Sequence, residues 1–311
     1  MEHLFIINPS AGKNDKSKEL IEKIKSVKTD DKVTIKITDG PGAATEIVKK
    51  HLSEADDFVR VYACGGDGTA NEVLRGVIGF DNCALGVVPM GSGNDFVRSF
   101  EDNTKSDFVD MQAMMMGEDT AIDIMECQGR YSMNSMSVGF DAAVAKNVDK
   151  FKRLPLVSGS LAYKISIIYC LFTKRKHRYR MIADGKEYVG LDVKTLLAVA
   201  GNGKYYGGGI KATPKAELSD GKIELMHIKT ISALRFIFLV GTYTRGEHID
   251  NPKFPFVKHT KCKSVTFESD QNIDIGFDGE ILSLKNPTVT ILPAAVRIIV
   301  PKVKEKVAVT A

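Results

Sequence analysis

A single carboxylate sits among nearly bare backbone amides in the run Gly65-Gly66-Asp67-Gly68-Thr69, between an apolar stretch at 58–63 and a helix-patterned segment starting near Asn71. Glycines let a bulky anion approach the main chain, and a helix start offers unpaired N–H groups to negative charge. Such a loop suits a polyphosphate. Asp67 adds a condition: beside phosphate oxygens it repels unless a cation intervenes, and oxygen-ligated Mg²⁺, often holding waters between itself and protein, is the usual one. The alternative is a glycine-rich turn with Asp67 or Thr69 acting as a helix cap.

A second loop of this kind, Pro89-Met90-Gly91-Ser92-Gly93-Asn94-Asp95-Phe96, follows another apolar run at 84–88. Further back, residues 4–7 run into Asn8-Pro9-Ser10-Ala11-Gly12, and the strand-like segment 33–37 runs into Thr38-Asp39-Gly40. Between these strands, 18–27, 43–52 and 71–78 carry helical spacing of apolar residues. The order is β-α-β-α-β-α-β. It predicts a doubly wound, mostly parallel sheet with right-handed crossovers, in which ligands bind beyond the carboxyl ends of the strands, where all four loops fall. No strict G-x-G-x-x-G occurs, and none of the Gly-Lys pairs is followed by Ser or Thr as a P-loop requires.

The second half of the chain carries a different kind of site. Asp278-Gly279-Glu280 places two carboxylates at a tight turn, close enough to share a proton or a metal. Asp-Gly is equally a favoured type I′ hairpin turn. Glu217-Leu218-Ser219-Asp220-Gly221-Lys222 could hold a cation through Asp220 and neighbouring carbonyls, or simply turn the chain. Histidines 3, 51, 177, 227, 248 and 259 show no metal-ligand spacing, and neither H-E-x-x-H nor G-x-S-x-G is present. His248 is the histidine to watch, since its apolar approach helix could border a cleft. Residues 111–116, rich in Met, read as a core-facing helix.

With 311 residues, 43% of them hydrophobic, the chain can build about two domains with packed cores. From Thr120 the pattern turns to strand-like alternation, with strands expected at 131–138, 178–183, 195–200, 222–228, 264–268, 272–277 and 288–292. This half is expected to be an antiparallel β-sandwich interrupted by helices at 161–172 and 233–242. The domains are placed at 1–119 and 120–293, with 294–311 returning to the first, and no Pro/Ser linker marks the junction, which suggests firm contact and a cleft. A formal charge of +4 argues against nucleic-acid binding. The longest apolar runs are short of a membrane span, and five scattered cysteines without a C-x-x-C pair suit a reducing cytoplasm. The basic run 174–180 after the amphipathic stretch 161–172 could meet an anionic membrane, but reads better as a solvated edge strand after a buried helix. Edge strands of the second domain could pair two subunits as a homodimer.

The ordered set Asn8-Pro9-Ser10-Ala11-Gly12, Gly65-Gly66-Asp67-Gly68-Thr69, Pro89 to Phe96 and Phe277-Asp278-Gly279-Glu280 resembles the diacylglycerol kinase catalytic-domain family, which includes bacterial lipid kinases and the sphingosine and ceramide kinases. The resemblance spans essentially the whole chain. It implies ATP and Mg²⁺, a nucleotide domain followed by a β-sandwich, and a lipid hydroxyl entering the cleft between them, with the enzyme peripheral at the inner membrane surface. By the same resemblance, Asn8, Pro9, Ser10, Ala11, Gly12, Thr38, Gly66, Asp67, Gly68, Thr69, Ala70, Asn71, Glu72 and Ser92 contact the nucleotide. Asp67 and Asp95 belong to a water-bridged Mg²⁺ network. Asp278 and Glu280 become the catalytic pair, either of which could take the proton from the hydroxyl. Asp220, with the carbonyls of Glu217 and Lys222, looks like the family's structural metal site. Ser92 stands where Thr is common and keeps the hydroxyl. Diacylglycerol is the default substrate. A kinase for a soluble acceptor stays open, because NAD kinases and phosphofructokinases also carry a Gly-Gly-Asp-Gly loop, as does a nucleotide-binding protein that has lost catalysis.

Overall fold

The computed structural model describes residues 1–12, 14–91, 94–152 and 159–302. They form two compact units, one made of Met1–Ile122 with the described part of Ala294–Ala311, the other of Asp123–Pro293. In chain order the first contains β1 (Glu2–Ile7), α1 (Ser17–Ser26), β2 (Lys32–Ile37), α2 (Ala43–Glu54), β3 (Val59–Gly65), α3 (Asp67–Val77), β4 (Cys83–Pro89) and α4 (Met111–Met115). Strand β5 (Glu118–Cys127) carries the chain across the division at 122.

The second unit continues with β6 (Arg130–Ser132), β7 (Ser135–Gly139), α5 (Phe140–Lys152), α6 (Gly159–Thr173), β8 (Arg180–Ala183), β9 (Lys186–Val189), β10 (Thr195–Gly201) and β11 (Ile223–Lys229). Then come α7 (Ala233–Thr244), β12 (Val257–Cys262), β13 (Ser264–Glu268), β14 (Ile273–Phe277), β15 (Glu280–Leu284) and β16 (Thr288–Val300), whose far end belongs to the first unit.

In the first unit the strand order is β2-β1-β3-β4, with every pair parallel, and the end of β16 extends the sheet by pairing Ile298 with Leu85 of β4. All six residues of β1 are buried, as expected of a central strand covered on both faces. Helix α2 buries Ala44, Val48 and Leu52, one residue per turn, which is the stripe its spacing predicts. The chain steps outward from β1 to β2 and then crosses back to β3, so the winding reverses between β1 and β3. Doubly wound folds leave a crevice at that point, beyond the carboxyl ends of the strands.

The second unit is antiparallel. One sheet runs β12-β11-β10-β7-β14-β15, and opposite it lie β16, β13, β8 and β9, with β5 pairing both β16 and β6. Side chains of alternate parity separate the two faces: Ala198 and Ala200 of β10 join the sandwich core with Met136, Phe267 and Ile275. Their neighbours Leu197 and Val199 face a second core built with α5, α6 and α7. Both faces of β10 are therefore dry, which is why it reads as a continuous apolar run.

Several expectations need correction. The segment expected as one strand over 131–138 is two, β6 and β7, separated by Met133 and Asn134. The five-residue strand expected at 288–292 extends to thirteen residues. Helix α3 begins at Asp67 and not at Asn71, so the glycine loop is itself the helix start. Helix α5 was not anticipated. The basic run does not lead into an edge strand, since β8 lies between β13 and β9, and Arg180 pairs with Glu187 and Glu268. Helix α6, expected to be buried, leaves Ile168 and Phe172 exposed. All five cysteines are buried and unpaired.

Candidate active site

The first cluster is assembled where β1, β3 and β4 end. The Asn8 amide donates to the Cys64 carbonyl (3.0 Å) and the Met90 amide to the Gly65 carbonyl (2.9 Å), so three strands deliver their loops side by side. Asn8 links two of them: its Nδ2 donates to Thr69 Oγ1 at 2.9 Å, while its Oδ1 accepts the Ser10 amide at 2.9 Å. The Ala11 amide closes this turn on the Asn8 carbonyl (3.1 Å). Gly65 is required by packing, because a Cβ there would lie 2.3 Å from Thr69 Oγ1.

No side-chain cap closes the start of helix α3. Its cap residue is Gly66, and there is open space beside both Gly66 and Gly68. The capping alternative for Asp67 and Thr69 is thus not realised. Thr69 uses its hydroxyl on Asn8, and Asp67 Oδ2 accepts the Asn94 amide at 3.0 Å. Asn94 holds φ 55° and donates its Nδ2 to the Gly65 carbonyl (3.2 Å), which folds the second glycine loop back over the first. Burial raises the Asp67 carboxyl above its ordinary range; the Asn94 amide opposes this and the nearby charge of Asp95 adds to it. Asp95 is buried, with Arg98 Nε 3.3 Å away. Two carboxyl groups that repel each other at an uncapped helix start fit Mg²⁺ bound mainly through water and phosphate oxygens.

Other expected contacts lie nearby with different duties. Thr38 donates its amide to the Ile7 carbonyl (2.9 Å) and continues the β1–β2 ladder. Ala70 and Asn71 are buried in the first turn of α3. Glu72 turns away to the start of α2, where it accepts the amides of Gly42 (2.9 Å) and Ala44 (3.3 Å), countering that helix's positive end. Ser92 lies outside the described residues.

In the second unit, Asp278 and Gly279 join β14 to β15 as a two-residue hairpin, with φ of 43° and 102°. These are the positive values of a type I′ turn, so the hairpin reading holds. The turn is also anchored: Asp278 Oδ1 accepts the Ser135 amide (2.9 Å), Oδ2 accepts the Met133 amide (3.1 Å), and the Asp278 amide donates to the Ser135 carbonyl (3.2 Å). The Met133 amide lies in the break between β6 and β7, and the Ser135 amide opens β7. The geometry of the break is held in turn by Asn202, whose Nδ2 donates to the carbonyls of Met133 (2.9 Å) and Asp123 (2.7 Å). Glu280, the first residue of β15, is exposed.

With this geometry in place, comparison with known proteins is direct. Residues 2–127 match the diacylglycerol kinase catalytic domain, and residues 134–300 match the YegS C-terminal NAD kinase beta sandwich-like domain. The chain belongs to the diacylglycerol kinase family. It is therefore a kinase. The diacylglycerol kinase of Bacillus subtilis (strain 168) is 28% identical over 302 residues, covering 96% of each chain. That of Staphylococcus aureus (strain MRSA252) is 29% identical over 279 residues, or 89% of this chain and 85% of the relative. Two solved structures from Bacillus anthracis str. Sterne, the second described as a diacylglycerol kinase, cover 96% of each chain with TM-scores of 0.73 and 0.69. At 22% and 21% identity they establish the shared fold alone.

A further family-based expectation concerns Asp220. At the loop 217–222, Asp220 Oδ1 accepts the Lys222 amide (3.0 Å), while Oδ2 lies 2.6 Å from the ammonium of Lys261, which also reaches Glu217 (2.7 Å). The Lys261 ammonium thus lies against the Asp220 carboxylate, while the other two expected ligands, the carbonyls of Glu217 and Lys222, are main-chain oxygens that these contacts do not involve. No group of three or more His, Cys, Asp or Glu suited to a metal occurs among the described residues. The loop itself is tied down by Asp123, which accepts the Gly221 amide at 2.7 Å.

His248 is a core residue. It is buried against Tyr243 and Phe254, bonds the Ala212 carbonyl through Nε2, and burial pushes its pKa down to about 4. Sequence reasoning missed Asp141, in the first turn of α5. It accepts the Tyr206 hydroxyl, and burial pushes its pKa up to about 6. The signal available was Gly139-Phe140-Asp141, an acid directly after an apolar strand.

Proposed function

We propose that the protein transfers the γ-phosphate of ATP to a lipid hydroxyl, diacylglycerol being the first substrate to test, and yields the phosphorylated lipid. The anchored Asp278-Gly279-Glu280 hairpin carries this reading. Phosphoryl transfer depends mainly on positioning and charge neutralisation, but the acceptor hydroxyl must lose a proton as it attacks phosphorus. Asp278 has both carboxylate oxygens engaged by the backbone amides of Met133 and Ser135. Its part is to position the turn. Glu280, exposed two residues on, is then the proton acceptor.

In this reading the start of α3 cradles the phosphates with the amides at Gly66, Gly68 and Thr69, and Asn8 through Gly12 borders them. Asn8 keeps the two loops in register through Thr69. Asp67 and Asp95 would hold Mg²⁺ through water, and the ion would supply neutralisation of the phosphate charge. Gly91 carries no side chain where one would crowd Gly66, 3.2 Å from the ideal Cβ position, so the second loop can lie close to the first. At 217–222 the positive charge is supplied by Lys261.

The second reading, a soluble acceptor, draws on the NAD kinase likeness of the sandwich domain. Transfer of labelled γ-phosphate decides between them. Incubation with Mg-ATP and diacylglycerol in mixed micelles should label the lipid, and omission of Mg²⁺ should abolish labelling. Labelling of NAD or a sugar with none of the diacylglycerol would overturn the proposal.

A further inference from the structure

The three loops that meet at the start of α3 carry no cationic side chain of their own, since none of 8–12, 65–69 and 89–96 contains Lys or Arg. P-loop enzymes place a lysine on the β- and γ-phosphates, and that loop is absent here. Mg²⁺ offsets only part of a triphosphate's charge. Asp67 and Asp95 stand on the negative side of the balance, and Arg98 lies 3.3 Å from Asp95, which already engages it. A cation delivered from outside the loops would complete the cradle.

Lys105, which belongs to none of the glycine motifs, is placed to do this. Its Nζ donates to the Gly91 carbonyl at 2.9 Å. Gly91 is where the loops converge. Its ideal Cβ position lies 3.2 Å from Gly66 Cα and 3.9 Å from the Gly66 nitrogen, and a Cβ on Gly12 would lie 3.1 Å from the Met90 carbonyl oxygen. The backbone on either side of Lys105 is pinned. Thr104 donates its amide and its Oγ1 to Asp107 Oδ2, both at 2.7 Å, and the Asp107 amide returns to the Thr104 carbonyl at 3.0 Å. Asn103 Nδ2 donates to the Pro301 carbonyl at 3.0 Å, which fixes the preceding residues.

The ammonium has capacity to spare. It offers three donors, the Gly91 carbonyl takes one, and no carboxylate pairs with it among the described residues. Lys105 is exposed. Ordering a long, flexible side chain for one exposed bond to a neutral carbonyl gains little, so a loop tether alone leaves the charge without a use. Two donors and a full positive charge beside the cap of α3 suit phosphate oxygens.

We infer that Lys105 is a phosphate-binding residue, its ammonium joining the Gly91 carbonyl to a β- or γ-phosphate oxygen of a nucleoside triphosphate. This rests on the ATP half of the proposed function and is independent of the acceptor.

The test is equilibrium binding of ATP and AMP at fixed Mg²⁺, without lipid, by wild type, Lys105→Arg, Lys105→Gln and Lys105→Met. Glutamine keeps a donor for the Gly91 carbonyl and drops the charge. Lys105→Gln and Lys105→Met should each weaken ATP roughly tenfold and leave AMP within about twofold, while Lys105→Arg keeps most of the ATP affinity. The loss for ATP should shrink as salt is raised, as a contact between charges requires. Melting curves without nucleotide should coincide, the position being exposed. ATP binding by Lys105→Gln equal to wild type overturns the inference, as does an equal loss for AMP or a loss indifferent to salt, either of which marks a tether only. A wild type that binds ATP but labels no diacylglycerol removes the lipid substrate and leaves Lys105 in its role; a wild type that binds neither nucleotide removes the ATP reading and this inference with it.

Discussion

Replacing Asp278 should separate anchoring from chemistry at the hairpin. Asp278→Ala removes the acceptor of two backbone amides, at 2.9 and 3.1 Å from its oxygens. Bonds from an amide to a charged group contribute roughly 1.5–3 kcal/mol each. Partial solvent exposure of Asp278 reduces the pair to about 2–4 kcal/mol. Alanine must also hold φ 43° without the side-chain hydrogen bonds that let Asp do so, which costs roughly 1 kcal/mol more. A loss of about 3–5 kcal/mol corresponds to a fall in Tm on the order of 10 °C for a unit of this size. Asp278→Asn keeps one acceptor oxygen and should fall between. Glu280→Gln, at an exposed position, should stay within about 0.5 kcal/mol of wild type yet lose about 10²- to 10⁴-fold in turnover. Calorimetry and labelled-phosphate transfer on the three variants would show the split. An Asp278→Ala protein that melts like wild type would refute the anchoring argument, and full turnover in Glu280→Gln would refute its assignment as the base.

Gly65→Ala places a Cβ 2.3 Å from Thr69 Oγ1; it should cost about 1–3 kcal/mol by overpacking and raise KM for ATP as Thr69 leaves Asn8, whereas unchanged KM and Tm would show the contact to be dispensable. Glu224 is buried, and burial pushes its pKa up to about 7 against the pull of the Lys215 amide and the charges of Lys261 and Lys215, with Asp220 acting in the same direction as burial. Because the folded state keeps this proton while the unfolded chain releases it near 4.5, stability should fall as pH rises from 4.5 to 7 by up to roughly 3 kcal/mol and then level off. Glu224→Gln should flatten that part of the profile, and parallel curves for the two proteins would contradict the assignment. Lys261→Met should lower stability by about 1 kcal/mol, these pairs being partly exposed. It should also make Tm respond to millimolar Mg²⁺; a wild type equally stabilised by Mg²⁺ would show that the ammonium does not hold the loop's place for a cation.

Local pattern and motif order made much of this protein legible. The alternation of apolar runs with helical spacing up to residue 89 specifies a parallel sheet, because each segment's periodicity is a property of neighbouring residues. The loops at 8–12, 65–69 and 89–96 follow from it, since each closes a strand. Asp278-Gly279 announces its own turn. What the sequence could not determine are contacts between residues far apart along the chain. Asp278 is held by amides 145 and 143 positions away, which exist only because β6 and β7 break at Met133 and Asn134. Glu72 caps α2 from 30 positions away, and Lys261 reaches Asp220 from a strand 41 positions on. Leu234 and Phe238 belong to an apolar run with no polar face to mark its outside, and a helix that is apolar all round can bury only the side it turns to the sheet. Which side that is depends on how α7 packs, so only the tertiary structure could reveal the exposed face.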